Sequence, residues 1–113
     1  MHSAKGKEGV LVYGPYWPLK DGKYRVRFNL MLTGKPEHFI THIDVFATDK
    51  FTQKLSHEPI IRKLNGTDKP KWEEHFIDFT VVNNKVGNLL YEFRVLPTGA
   101  GDVRVKEIIL EVR

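Results

Sequence analysis

Residues 24–32 read YRVRFNLML, and their alternation decides the fold class. Tyr24, Val26, Phe28, Leu30 and Leu32 fill every even position, and three of the four residues between them are polar. Successive side chains of a β-strand point to opposite faces, so the pattern predicts a strand with one face in a core and the other in water. Residues 39–47, FITHIDVFA, repeat the alternation and predict a second such strand.

Shorter segments of the same character occur along the rest of the chain. They predict strands at residues 10–13, near 53–55, and at 60–63, 74–82, 89–95 and 103–112. Turn residues separate them, as in Asn65-Gly66 and in residues 97–101, PTGAG. No long window has the apolar stripe of a helix, and β-branched and aromatic residues fill the periodic segments. The sequence therefore predicts an all-β antiparallel sandwich or barrel of about eight strands.

Length and composition predict one globular domain. The chain has 113 residues, of which 41% are hydrophobic and 28% are charged. We expect residues 1–8 to be a flexible or cloning-derived start without the apolar core of a secretory signal, and residues 9–113 to form a single β-sandwich domain. No apolar run is long enough to span a membrane. The absence of cysteine slightly favours the cytoplasm, and nothing else in the sequence assigns a localisation.

Two functional classes receive little support from the sequence. The net charge of +4 is spread along the chain rather than gathered into a basic stripe, which argues against a nucleic-acid partner. The five histidines have no metal-ligand spacing, and no paired-carboxylate motif occurs. We therefore predict that the protein is not an enzyme and needs no cofactor.

Polar residues on the outer faces of the predicted strands are the first candidates for binding. Planar guanidinium, carboxylate and amide groups are directional partners for sugar hydroxyls or for an anionic sugar. If the strands are neighbours, these groups line one side of a sheet; the alternative is a solvated face held by cross-strand ion pairs. The candidates are Arg25, Arg27, Asn29, His42, Asp44, Glu92 and Arg94.

Aromatic residues beside prolines are the second candidates. Gly14-Pro15 and Pro18 predict that Tyr13, Tyr16 and Trp17 leave the sheet and form a surface loop. Trp72 follows Lys69-Pro70-Lys71 at the start of a predicted strand. Each ring either closes one end of the sandwich or stacks on a flat ligand. Tyr16, Trp17 and Trp72 are the rings that we expect at a binding site.

The order of these segments resembles a known group of domains. The elements are L-x-x-G-x-Y-x-V-x-F from Leu19 to Phe28, and a last strand with Val103, Val105, Ile108 and Leu110. They are similar to the jelly-roll domains of the galactose-binding-like superfamily, which includes many carbohydrate-binding modules. The resemblance spans nearly the whole chain. It implies a jelly-roll sandwich whose ligand lies on the concave face of one sheet or in loops at one end.

The resemblance also implies a function. We expect a non-catalytic module that binds a carbohydrate or polysaccharide, as an accessory domain of a larger cell-envelope or polysaccharide-processing protein. Such domains often hold a structural calcium ion, for which Glu8 and Glu107 are weak candidates because calcium takes six to eight oxygens. The alternative is a protein-interaction or assembly domain that docks through the same aromatic loop.

Overall fold

The computed structural model describes residues 2–5, 11–17, 19–52, 59–82, 84 and 89–113, with side chains described outside residues 2–5 and 11–17. They form strands β1 (His2–Lys5), β2 (Leu11–Trp17), β3 (Gly22–Thr33), β4 (Phe39–Asp49), β5 (Ile60–Asn65), β6 (Trp72–Val81), β7 (Leu89–Pro97) and β8 (Asp102–Val112). These ranges contain no helix of the length and hydrophobicity that crossing a membrane requires.

The strands form two antiparallel sheets. The first sheet has the order β1-β8-β3-β6 and the second has the order β2-β7-β4-β5. Every pairing is antiparallel. In each sheet, three strands have described side chains. The fourth strand, β1 in the first sheet and β2 in the second, forms one edge and is described by its backbone. The prediction of an all-β antiparallel sandwich is confirmed. The sequence predicts about eight strands, and six strands have described side chains.

The core lies between the two sheets. The even-numbered residues from Tyr24 to Leu32 on β3 are buried, as their alternation predicts. The ring of Phe79 on β6 packs against Tyr24, with 5.5 Å between centroids, and against Tyr91 and Phe93 on β7, at 5.7 and 5.9 Å. Phe76, three residues before Phe79, lies on the outer face of β6 and is 41% exposed.

The N-terminal part of the chain differs from the sequence-based expectation. Residues 2–5 form β1 opposite residues 102–105 of β8, where we expected a flexible start. The residues HSAK show no alternation of apolar and polar side chains. β1 pairs through its main chain at the edge of the sheet, and such pairing does not require a pattern in the side chains. The strand expected near residues 53–55 lies outside the described residues.

The aromatic segment before β3 is also a strand rather than a loop. β2 pairs with β7, and its register shifts between Tyr13, opposite Phe93, and Trp17, opposite Tyr91. The expectation that this segment leaves the sheet is therefore wrong. Because β2 is an edge strand with an irregular register, it tolerates Pro15, which has no N–H to donate.

Two connections meet closely at one end of the sandwich. The Gly66 N–H donates to the carbonyl of His38, and the Gly34 N–H donates to that of Thr67, at 3.0 and 3.2 Å. A Cβ atom on Gly66 would lie 2.8 Å from the carbonyl carbon of Gly34, which explains why glycine is needed there. These contacts hold the β5–β6 connection against the turn between β3 and β4.

Candidate functional site

The polar residues that the sequence suggests for one surface lie on two. Arg25, Arg27 and Asn29 are on β3 and face outward from the first sheet, because β3 pairs with β6 and β8. The other four belong to β4 and β7, which pair in the second sheet. The hypothesis of one shared surface is therefore wrong: the two sets lie on opposite outer faces of the sandwich. The second set comprises His42, Asp44, Glu92 and Arg94.

The outer face of the second sheet is occupied by its own contacts. Asp44 has 0% exposure and accepts hydrogen bonds from Arg94, with 2.9 Å between Nε and Oδ1. This bond raises the pKa of Arg94, and the guanidinium carbon lies 4.1 Å from the ring centroid of Phe46. His42 stacks on Phe39 at 6.0 Å, and Glu92 is buried. These groups stabilise the sheet and leave little capacity for a ligand.

The outer face of the first sheet carries an ordered set of ion pairs. Arg25 donates to both carboxylate oxygens of Asp78, at 2.7 and 3.0 Å. Arg27 donates to Glu74 on β6 and to Glu111 on β8, each at 2.9 Å. The hydrogen bonds from Arg25 and Arg27 lower the pKa values of Asp78 and Glu111. The network fixes both guanidinium groups across three strands, because β3 lies between β6 and β8.

Trp72 joins this network in space, although it is far from β3 in sequence. Its Cα is the register partner of Met31, and Glu74 is the partner of Asn29. The side-chain oxygen of Asn29 is buried and has no hydrogen-bond partner among the described residues. We call the patch of Arg27, Asn29, Met31, Trp72 and Glu74 the Trp72 surface. It combines a partly exposed ring, the exposed carboxylate of Glu74 and a fixed guanidinium group.

The remaining sequence candidates are two aromatic residues and two acidic residues. The side chains of Tyr16 and Trp17 lie outside the described set, so their role in binding stays a prediction. Glu8 is also outside it, and Glu107 is an exposed residue of β8 opposite Asn29. Among the described residues no group of three or more histidine or acidic side chains could hold a metal ion. A calcium ion therefore also stays a prediction.

A cleft that sequence reasoning missed lies at the open edge between the sheets. We call it the edge cleft; its volume is about 160 Å³. The aliphatic side chains of Leu30 and Leu32 form its floor. The polar residues around it include Asn65, Thr67, Glu73 and His75, from β5, β6 and the connection between them.

The electrostatics of the edge cleft centre on His75. Burial lowers the pKa of this imidazole, the nearby Arg62 lowers it further, and Glu73 acts in the opposite sense. His75 is therefore neutral at neutral pH and offers one donor and one acceptor. The sequence held a signal for the site: Glu73 and His75 occupy the same face of β6 as buried Ile77, which places polar groups at positions facing between the sheets.

Comparison with solved structures shows a likeness in fold to a carbohydrate-binding module. TmCBM61, a carbohydrate-binding module whose structure was solved in complex with β-1,4-galactotriose, is similar to this chain with a TM-score of 0.55 and 12% sequence identity. The similarity covers 98% of this chain and 69% of that one. No family model matches the chain, and no curated protein matches it in sequence. At this identity the likeness concerns the fold alone: the chain has a β-sandwich like that of a carbohydrate-binding module.

Proposed function

We propose that this domain is a non-catalytic carbohydrate-binding module with a jelly-roll fold of the galactose-binding-like type. The strand orders β1-β8-β3-β6 and β2-β7-β4-β5 support the fold, because a jelly roll is a double sheet of eight strands made from two Greek keys. The likeness to a module solved with a galactotriose supports the ligand class. The ligand is a glycan, and the domain serves a larger polysaccharide-processing or cell-envelope protein.

One observation carries the assignment of the site. The pairing of β3 with β6 brings Trp72 beside Met31 and places Glu74 two residues further along the same face, so an aromatic ring and directional polar groups share one exposed face. The polar candidates on β3 and the aromatic candidate Trp72 are far apart in the sequence, and they lie together at the Trp72 surface. On the outer face of the second sheet, Asp44 is fully buried against Arg94, so this carboxylate is closed to a ligand.

The proposed binding mode divides between stacking and hydrogen bonding. The C–H face of a sugar ring packs on the Trp72 indole, while the exposed carboxylate of Glu74 accepts a hydrogen bond from a sugar hydroxyl. Lys106, whose ammonium lies 5.9 Å from the indole centroid, has a flexible stem that lets it move aside. Neither interaction needs a cofactor. We expect modest affinity, because an exposed surface must offset the cost of ordering both partners.

The experiment that tests this function is a glycan-array screen followed by calorimetric titration. The first probe is β-1,4-galactotriose, and the array supplies other neutral and acidic oligosaccharides. We expect Trp72→Ala to weaken binding at least ten-fold, which corresponds to about 1.4 kcal/mol. The matched control is Phe51→Ala, which removes a ring that is 76% exposed outside the Trp72 surface and should leave binding unchanged.

The assembly hypothesis predicts a different result. If no glycan binds and the protein forms a concentration-dependent dimer that Trp17→Ala dissolves, the domain is an assembly module rather than a carbohydrate-binding one. Analytical ultracentrifugation of both proteins separates the two functions. The aromatic segment of β2 would then act as an interface anchor.

A further inference from the structure

We infer that the edge cleft is a second binding site, which accepts a single neutral sugar residue at the end of a glycan chain. The inference rests on the proposed function and adds that the glycan is recognised at the end of its chain. Its basis is the shape of the cleft, the chemistry of its walls and the position of its mouth.

The volume of the cleft limits the size of the ligand. At about 160 Å³ it is smaller than the ~300–1,000 Å³ of pockets for drug-sized ligands, so we expect it to accept one sugar ring and not a chain of several. The floor is apolar, because Leu30 and Leu32 are buried core residues of β3. An apolar floor with a few convergent polar groups is the usual composition of a small-molecule site.

The polar groups around the cleft select a neutral ligand with several hydroxyls. The amide of Asn65, the hydroxyl of Thr67 and the neutral ring of His75 can each donate and accept a hydrogen bond. At the rim, the ammonium of Lys71 lies 3.8 Å from a carboxylate oxygen of Glu73, so the two charges offset each other. The cleft therefore offers donors and acceptors in balance and favours neither an anion nor a cation.

These groups are available for a ligand. In the part of the chain that the structure describes, the side chains of Asn65 and His75 take part in no hydrogen bond with other residues. The Thr67 oxygen accepts a hydrogen bond from the Lys69 N–H at 3.1 Å, which leaves its own O–H free to donate. A sugar ring can thus satisfy groups that the fold leaves exposed to the cleft.

The position of the mouth explains why a chain end is recognised. The deep side is closed by the core residues of β3 and, at one end, by the contact between Gly66 and Gly34. The open side carries Lys71 and Glu73, whose side chains are 73% and 48% exposed. We therefore expect the last residue of a glycan to enter the cleft and the rest of the chain to continue outward past Lys71 and Glu73.

The test is an amide NMR titration with a panel of methyl glycosides, namely the neutral β-galactoside, β-glucoside, α-mannoside and β-xyloside. We expect one of these monosaccharides to shift the amide signals of Thr67, Glu73 and His75. Asn65→Ala should weaken that binding at least five-fold, and His75→Gln, which keeps a neutral donor and acceptor, should retain most of it. Phe51→Ala, which lies outside both sites, should leave monosaccharide binding intact.

The outcomes separate this inference from the proposed function. If oligosaccharides shift signals at the Trp72 surface and no methyl glycoside shifts the cleft residues, the cleft inference is wrong and the proposed function stands. If neither class of ligand binds, both are wrong. Tighter binding of methyl glucuronide than of its neutral counterpart would overturn the assignment to neutral sugars. Dispersed amide spectra of each variant exclude unfolding as the cause of a lost signal.

Discussion

At the scale of single residues, Asn84 shows how much one buried side chain can hold together. It is 2% exposed, and its amide nitrogen donates to the carbonyls of Leu19 and Leu89. Its side-chain oxygen accepts from the Leu89 N–H, and its own N–H donates to Asp21. Asn84 therefore ties the segment before β3 to the start of β7. The sequence indicated only a turn at this position.

Replacing Asn84 should destabilise the domain more than an exposed asparagine would. Asn84→Ala removes three side-chain hydrogen bonds and leaves two carbonyls and one N–H without that partner. We expect the free energy of unfolding to fall by roughly 2–4 kcal/mol, because each lost bond is worth about 1 kcal/mol and buried groups lose their partners. Urea denaturation followed by circular dichroism measures this.

The matched control for this prediction is Asn65→Ala at the edge cleft. Asn65 is exposed, so its replacement should change the free energy of unfolding by less than about 0.5 kcal/mol. Equal stabilities of the two variants would show that Asn84 does not have the role described. The same control confirms that Asn65→Ala is folded when its sugar binding is measured.

At the scale of elements, β6 supplies residues to both proposed sites. Its outward side carries Trp72 and Glu74, while Glu73 and His75 face the edge cleft. This division follows from the period of two in a strand, since neighbouring residues point to opposite faces. One strand thus brings an exposed surface and a cleft within a few residues of each other.

The ion pairs on the outer face of the first sheet predict a loss of stability in acid. The pKa of Glu111 is below its ordinary value of 4.5 in the folded chain, because Arg27 donates a hydrogen bond to it. As the pH falls through the ordinary value, the unfolded chain takes up the proton first. The ion pair therefore stabilises the folded chain above that pH. This stabilisation declines as the pH falls towards the lower pKa of Glu111 in the folded chain.

We expect Arg27→Gln to flatten this acid dependence. Between about pH 5 and about pH 3, the free energy of unfolding of the variant should fall less steeply than that of the natural chain. Urea denaturation at several pH values in this range measures the difference. Lys50→Gln, which removes one positive charge at the exposed end of β4, is the control for net charge. If the free energy of unfolding has the same pH dependence in the natural chain and in Arg27→Gln, the ion pair is not the cause of the loss of stability in acid.

At the scale of the whole molecule, the core is built from β3 to β8. All buried hydrophobic residues that the structure describes lie between Tyr24 and Ile108. β1 pairs through its main chain with residues 102–105 at the outer edge of β8. We predict that the domain folds cooperatively without β1.

Removal of residues 1–5 tests this division of the molecule. We expect the shortened protein to keep its circular dichroism spectrum, cooperative urea unfolding and glycan binding, with only a modest loss of stability. In contrast, Leu30→Ala should cost about 2–5 kcal/mol, because Leu30 has 0% exposure in the core. Loss of cooperative unfolding on shortening would instead make β1 an essential part of the fold.

How far the sequence could predict these results depends on the range of the interactions. Alternation in residues 24–32 correctly indicates the buried side of β3, because the period of a strand is a local property. It indicates equally well that Arg27 and His42 each face away from a core. It does not tell which strands pair, so it placed Arg27 and Arg94 on one surface although they lie in different sheets.

The sequence by itself determined the all-β class, the core face of β3 and the outward position of its arginines, because these follow from a repeat of two residues along one strand. Only the tertiary structure decided that Trp72 lies beside Met31, that Asp44 and Arg94 bind each other, and that Glu73 and His75 border a cleft. These contacts join residues far apart in the chain. They are fixed by the packing of two complete sheets rather than by any local pattern.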